Sequence, residues 1–191
     1  MSYIVRELKP TFEKLTEPFL VFLERVGATP NTITLMGLVF VLFGSLALYS
    51  GYLLLSFVLL LLGALSDALD GSLARRLGKN SDFGAFLDSL LDRLSDALPF
   101  IAIALSSKDK LLSLFALVAM LFSFTVSYSR ARAEGLGYEL KVGTFERPER
   151  WFILLAGIAL DLVFPAVILI AVGSLITTLQ RVYIFRKLTR R

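Results

Sequence analysis

Asp67-Ala-Leu-Asp70-Gly71-Ser-Leu-Ala74-Arg75 and, after eight further residues, Gly84-Ala-Phe-Leu-Asp88-Ser-Leu-Leu-Asp92 place four carboxylates at the ends of long apolar runs. At the centre of a bilayer each would cost about 2.5–3.5 kcal/mol on insertion scales. Something must offset that, and divalent metal does so most economically. Asp67 and Asp70 (i, i+3) share one helix face, as do Asp88 and Asp92 (i, i+4). Two helices can therefore bring four hard oxygen ligands to one cleft.

The rest of the chain agrees with a membrane setting. Its 191 residues are 56% hydrophobic, with a mean hydropathy of +0.74, far more apolar than a soluble domain of this size. It reads as one integral membrane domain. There is no cysteine and no histidine, which removes disulfides, thiolate chemistry, the commonest general base and the imidazole metal ligand. Acid–base or metal chemistry must use carboxylates, and no nucleic-acid partner is expected. The polar stretch Met1 to Glu24 lacks an apolar segment followed by a small-residue cleavage site, so it does not read as a cleaved signal peptide.

The expected fold is an all-α integral membrane protein of six transmembrane helices preceded by an amphipathic interfacial helix. Spans of about 20 residues are placed near Ile33–Tyr52, Leu53–Leu73, Phe86–Leu105, Leu111–Tyr128, Trp151–Asp161 with its flanks, and Val163–Tyr183. With both termini cytoplasmic, Arg6, Lys9, Lys14, Arg25, Arg75, Arg76, Lys79 and the clusters Arg130 to Arg150 and Arg181 to Arg191 all lie inside. Only Lys108 and Lys110 fall outside, as the positive-inside rule prefers. In residues 4–25, Leu8, Phe12, Leu15, Phe19, Phe22 and Leu23 interleave with charges, the pattern of a helix lying in the headgroup region. Residues 1–28 are thus read as a cytoplasmic juxtamembrane helix and 29–191 as the membrane domain. Asn31 or Thr32 is the expected N-cap of the first span, and Ser50-Gly51, Ser106–Lys110 and Asp161 to Pro165 the outer turns. The fifth span holds little more than ten purely apolar residues, so a tilted or partly cytoplasmic helix is expected there.

Small residues surround the carboxylates. Gly71 and Ala74 follow Asp70, and Gly84 precedes Asp88 by one turn, leaving bare backbone where helices or a flat ligand can approach. Arg75 stands where it could neutralise a phosphate. Carboxylates, small residues and one arginine together suit a diphosphate bound through divalent cations. A single intramembrane aspartate reads equally well as a proton relay, an ion-coupling site or a helix–helix hydrogen bond. Four at these spacings, with the glycines and arginine in register, do not.

The stretch from Asp67 to Asp92 resembles, at every fixed position, the signature D-x-x-D-G-x-x-A-R, eight residues, G-x-x-x-D-x-x-x-D of the CDP-alcohol phosphatidyltransferases. The resemblance implies a multi-pass membrane enzyme of phospholipid synthesis. In such an enzyme the hydroxyl of a small polar alcohol attacks the lipid-linked phosphate of a CDP-lipid and expels CMP. It also implies that Asp67, Asp70, Asp88 and Asp92 hold two Mg²⁺ or Mn²⁺ ions, with Asp92 as general base. Asp67, Asp70, Gly71, Ala74, Arg75 and Gly84 would form the CDP site, facing the cytoplasm, and the enzyme would be a homodimer.

Ser127-Tyr-Ser-Arg130-Ala-Arg132-Ala-Glu134-Gly-Leu-Gly and Glu146-Arg147-Pro-Glu149-Arg150 bear on the acceptor. A neutral acceptor gives no reason for so many guanidinium groups; one carrying its own phosphate does. Anionic headgroups are the competing explanation for such a basic stretch. Both strings are similar to those of the family's branch that uses inositol 1-phosphate. That resemblance assigns Ser127, Arg130, Arg150 and Arg181 to the acceptor phosphate. Position 130 is Arg where bacterial members often have Lys. The lipid half is left open between CDP-archaeol and CDP-diacylglycerol.

Two alternatives stand beside this reading: transfer to glycerol 3-phosphate, and an ion-coupled carrier. A carrier predicts paired, inverted halves, and the chain shows no internal repeat. For a scaffold without chemistry, only Arg93 lies deep enough to pair with one of the aspartates. Asp96 continues the Asp88–Asp92 face by a turn and reads more readily as a polar contact than as part of the site.

Overall fold

The computed structural model describes residues 15–78 and 81–190. The first part of the amphipathic segment lies outside the described residues, as do Arg6, Lys9, Lys14, Lys79 and Arg191. Among the described residues the regular secondary structure is all helix: α1 (15–25), α2 (Pro30–Tyr49), α3 (Leu53–Leu77), α4 (Asp82–Ser106), α5 (Lys110–Gly135), α6 (Arg147–Ala159) and α7 (Val163–Leu188).

The expectation of six spans is corrected. Among the described residues four helices, α2, α3, α5 and α7, are long and apolar enough to cross a membrane. The 13 residues of α6 reach about 20 Å at a rise of ~1.5 Å each, short of a hydrocarbon core of about 30 Å. α4 has the length, at 25 residues, but Asp82, Asp88, Asp92, Arg93 and Asp96 leave only its last ten residues free of charge.

Smaller differences follow from capping. Thr29, not Asn31 or Thr32, caps α2: its Oγ1 accepts from the Thr32 N–H at 3.3 Å, and Pro30 fills the first turn, where its missing N–H costs nothing. The turn before α7 is shorter than expected. Asp161 takes φ +56° and Pro165 already lies in the first turn of α7. Ser107–Asp109 joins α4 to α5, with Asp109 Oδ1 accepting from the Leu111 N–H at 2.8 Å. α5 runs seven residues past Tyr128, carrying Arg130, Arg132 and Glu134 on helix, and the Arg130–Glu134 pair (2.9 Å, i, i+4) supports that last turn.

The chain divides at Ala102/Ile103 into two compact units. In the first, α2 and α3 form an antiparallel hairpin about Gly51 (φ +82°), packed along a glycine seam. A Cβ on Gly44 would lie 2.9 Å from Leu60 Cγ, one on Gly63 2.5 Å from Val41 Cγ2, and one on Gly37 3.0 Å from Ser66 Cβ. Absent side chains let the backbones close to contact. α1 packs Leu20 with Ile33 and Leu73, and Arg76 Nε bonds Glu24 Oε2 at 2.8 Å. Its other face exposes Leu15, Phe19 and Phe22.

In the second unit α6 and α7 meet at Gly157, where a Cβ would fall 2.4 Å from Ala166 Cβ. The α5–α6 connection lies against α7, with Leu140 2% exposed.

Candidate functional site

In the first unit, the carboxylates of Asp67 and Asp70 on α3 and Asp88 on α4 each offer an oxygen within 4.8 Å of the others. Asp70 is buried, at 5% exposure, and Asp67 and Asp88 are half-buried. Thr34 on α2 donates its hydroxyl proton to Asp70 Oδ2 at 2.6 Å. Thr34 Oγ1 also lies 3.0 Å from Pro30 O, but a hydroxyl has one proton, and the charged acceptor at the shorter distance takes it.

Three carboxylates this close repel one another unless a cation lies among them. An all-oxygen donor set is what Mg²⁺ and Mn²⁺ prefer, with substrate phosphates completing the shell. The residues present therefore fit such an ion. Asp92, the fourth expected ligand, follows one turn along α4, half-buried and outside this close group. Asp96, one turn further, is 4% exposed, and its Oδ2 stands 4.0 Å from Arg93 Nη1.

A cavity of about 310 Å³ opens beside the carboxylates, and its walls include the expected Asp70, Gly71, Ala74, Arg75, Gly84 and Asp88. Asp67 belongs to the carboxylate group but not to this wall. A Cβ on Gly71 would meet only Arg75 Nη1, at 3.6 Å, so bare backbone faces the opening. Arg75 Nη2 donates to Ser72 Oγ at 3.0 Å, which steers the guanidinium along the same wall. Sequence reasoning missed Pro30, Asn31, Thr34, Ser81 and Ala85, which complete the lining. The Thr29–Thr32 stretch read only as a helix entry, and nothing local announces that its first turn faces α3.

The second unit holds the four acceptor candidates: Ser127 and Arg130 on α5, Arg150 on α6 and Arg181 on α7. Ser127 is half-buried. Arg130 pairs with Glu134. Arg150 is 3% exposed and donates from Nη1 to Phe145 O at 3.1 Å. Arg181 is 2% exposed. Its Nε donates to Val142 O at 2.7 Å, its Nη1 to Val126 O, and its Nη2 reaches Glu146 Oε1 at 3.4 Å. Three donors of Arg181 thus tie the α5–α6 connection and α5 to α7.

Residues 27–180 match the family model described as CDP-alcohol phosphatidyltransferase. The chain is 39% identical over 185 residues to an archaetidylinositol phosphate synthase of Pyrococcus horikoshii, covering 96% of this chain and 97% of that one. Among solved structures it resembles the Mycobacterium tuberculosis phosphatidylinositol phosphate synthase with CDP-DAG bound (TM-score 0.82, 32% identity, 90% and 94% of the two chains). The same enzyme in complex with manganese and citrate gives a TM-score of 0.81 at 33% identity, over 88% and 87%.

Proposed function

Because the chain belongs to the CDP-alcohol phosphatidyltransferase family, a family of membrane transferases of phospholipid biosynthesis, we propose that it transfers the lipid-phosphate group of a CDP-linked lipid to a hydroxyl of inositol 1-phosphate, releasing CMP. Asp67, Asp70 and Asp88 clustered against a cavity walled by Gly71, Ala74, Arg75 and Gly84 carry this reading.

Asp67, Asp70, Asp88 and Asp92 would hold two Mg²⁺ or Mn²⁺ ions, which when bound neutralise charge on the diphosphate and on departing CMP. A relative bound to manganese supports the metal, and one bound to CDP-DAG supports the donor class. The bare backbone at Gly71 and Gly84, with Ala74, admits the nucleotide, and Arg75 faces its phosphates. The acceptor oxygen attacks the lipid-linked phosphorus as the bond from phosphorus to the CMP oxygen breaks. Asp92 takes the hydroxyl proton as the new bond forms. Its place one turn beyond the close group of Asp67, Asp70 and Asp88 supports giving it this second role beside its share in holding metal.

Ser127, Arg130, Arg150 and Arg181 would grip the acceptor's own phosphate, a reading supported by the inositol-phosphate products named for the relatives. The lipid is CDP-archaeol or CDP-diacylglycerol, the site faces the cytoplasm, and the enzyme works as a homodimer.

The test is Mg²⁺-dependent CMP release from a CDP-lipid with inositol 1-phosphate, glycerol 3-phosphate, serine and free inositol offered in parallel. Release with inositol 1-phosphate alone is expected. Release with a different acceptor would keep the transfer chemistry and remove the acceptor assignment.

A further inference from the structure

The α5–α6 connection is seated on α7 with a specificity that packing alone does not require. Gly173, Thr177 and Arg181 stand one turn apart on α7, and each holds a different point of the connection. At Gly173 the ring of Phe145 fills the space of the missing side chain: a Cβ there would lie 2.3 Å from Phe145 Cδ1. At Thr177 the backbone N–H of Phe145 donates to Oγ1 at 2.9 Å, while that hydroxyl donates its own proton to Gly173 O, also at 2.9 Å. At Arg181 the guanidinium takes Val142 O at 2.7 Å. Gly143 passes over Thr177 at φ +148°, where a Cβ would lie 2.6 Å from Thr177 Cγ2.

Phe145 is thus held by its ring and by its N–H. Its carbonyl, on the next peptide unit, accepts from Arg150 Nη1 at 3.1 Å. Thr177 is 0% exposed and Arg150 3%, so water does not compete for these bonds, and low local polarity strengthens them. The Thr177 hydroxyl has one proton, committed to Gly173 O, so its lone pair toward Phe145 is fixed in direction.

We propose that Thr177 is a positioning residue for acceptor recognition: through the backbone of Phe145 it sets the direction in which Arg150 presents its guanidinium to the acceptor phosphate. This rests on the assignment of Arg150 to that phosphate. A forked donor grips phosphate only when correctly aimed, and a displacement of about 1 Å can cost on the order of 10²-fold in rate.

The test is steady-state CMP release by the full chain, titrating inositol 1-phosphate and CDP-lipid separately. Thr177→Val keeps the shape and removes the hydrogen bonds to the Phe145 N–H and Gly173 O together with the longer Thr144 Oγ1 contact at 3.5 Å; Thr177→Ser keeps the hydroxyl. The Val variant is expected to raise the acceptor KM at least tenfold with the donor KM within twofold, and the Ser variant to restore most of it. In an Arg150→Ala background Thr177→Val should add less than twofold, because its effect passes through Arg150. An acceptor KM within twofold of the parent, equal shifts in both KM values, or full additivity with Arg150→Ala would overturn the proposal. Phe145→Leu, which keeps the peptide bonds and loosens the ring at Gly173, gives a second reading if the Val variant does not fold. It should raise the acceptor KM less than tenfold but more than twofold, and no rise would count against the proposal. Arg150→Ala alone separates the two levels. No change in its acceptor KM removes both readings, whereas a rise there without one in Thr177→Val removes only the positioning role.

Discussion

Thr34 on α2 donates to Asp70 on α3 at 2.6 Å, and the glycine seam between the two helices sets the register that allows it. Gly44–Leu60, Val41–Gly63 and Gly37–Ser66 step along the antiparallel pair one turn at a time. The next step is Thr34–Asp70. Close packing that looks merely structural thus aims a hydroxyl at a carboxylate proposed to hold metal.

Removing that hydroxyl should loosen the ion. A hydrogen bond to a charged acceptor is worth about 1.5–3 kcal/mol, roughly ten- to a hundredfold in an equilibrium constant. Thr34→Val is expected to weaken Mn²⁺ binding by about tenfold, followed by electron paramagnetic resonance of the free ion, whereas Thr34→Ser should bind as the parent does. Equal affinity of all three proteins would mean that Asp70 needs no help from α2.

Metal binding and proton transfer should separate along α4. Asp70→Asn removes a buried member of the close group and should abolish Mn²⁺ binding and CMP release together. Asp92→Asn should reduce CMP release by a factor of about 10² to 10⁴, the usual range for a lost general base, while Mn²⁺ affinity falls far less. Near-normal turnover in Asp92→Asn would remove the base assignment.

The seam itself predicts a stability cost. Gly63→Ala must displace Val41, whose Cγ2 lies 2.5 Å from the new Cβ, and overpacking of this kind costs about 1–3 kcal/mol. Thermal unfolding in detergent should show a lower Tm. Gly135→Ala, at the end of α5 with no atom near its Cβ, should leave Tm unchanged or raise it.

These contrasts mark what could be read in advance. Asp67 with Asp70, and Asp88 with Asp92, were legible as pairs because helical spacing puts each pair on one face of its helix, and the small residues beside them are local in sequence. Pro30, Asn31, Thr34, Ser81 and Ala85 were not, because their place on the cavity wall depends on how helices register against each other. The glycines at 37, 44 and 63 were the available signal. The all-helical class was equally legible. The six-span expectation failed because counting apolar residues ignored the 13-residue length of α6 and the five charges in the first fifteen residues of α4. Helix α5 continues past its apolar stretch, and the Arg130–Glu134 pair spans that added turn. The seating of Phe145 on α7 joins residues about thirty positions apart, and no local pattern encodes that.

Asp96 offers a last separation of roles. It continues the face of Asp88 and Asp92, yet its carboxylate is 3% exposed and stands 4.0 Å from Arg93, whose side chain is 36% exposed. The two ends of this pair are unequal: water can solvate Arg93 if its partner loses charge, but not Asp96. Arg93→Ala should therefore lower Tm more than Asp96→Asn, because removing the cation leaves a buried negative charge without that ion pair, whereas the amide leaves a neutral group in the same space. The partial exposure of Arg93 holds the difference to about 1–2 kcal/mol, below the range for fully buried pairs. Mn²⁺ binding should be the same in both variants as in the parent. A loss of Mn²⁺ affinity in Asp96→Asn, with Tm unchanged, would instead extend the metal-holding face of α4 by one more turn.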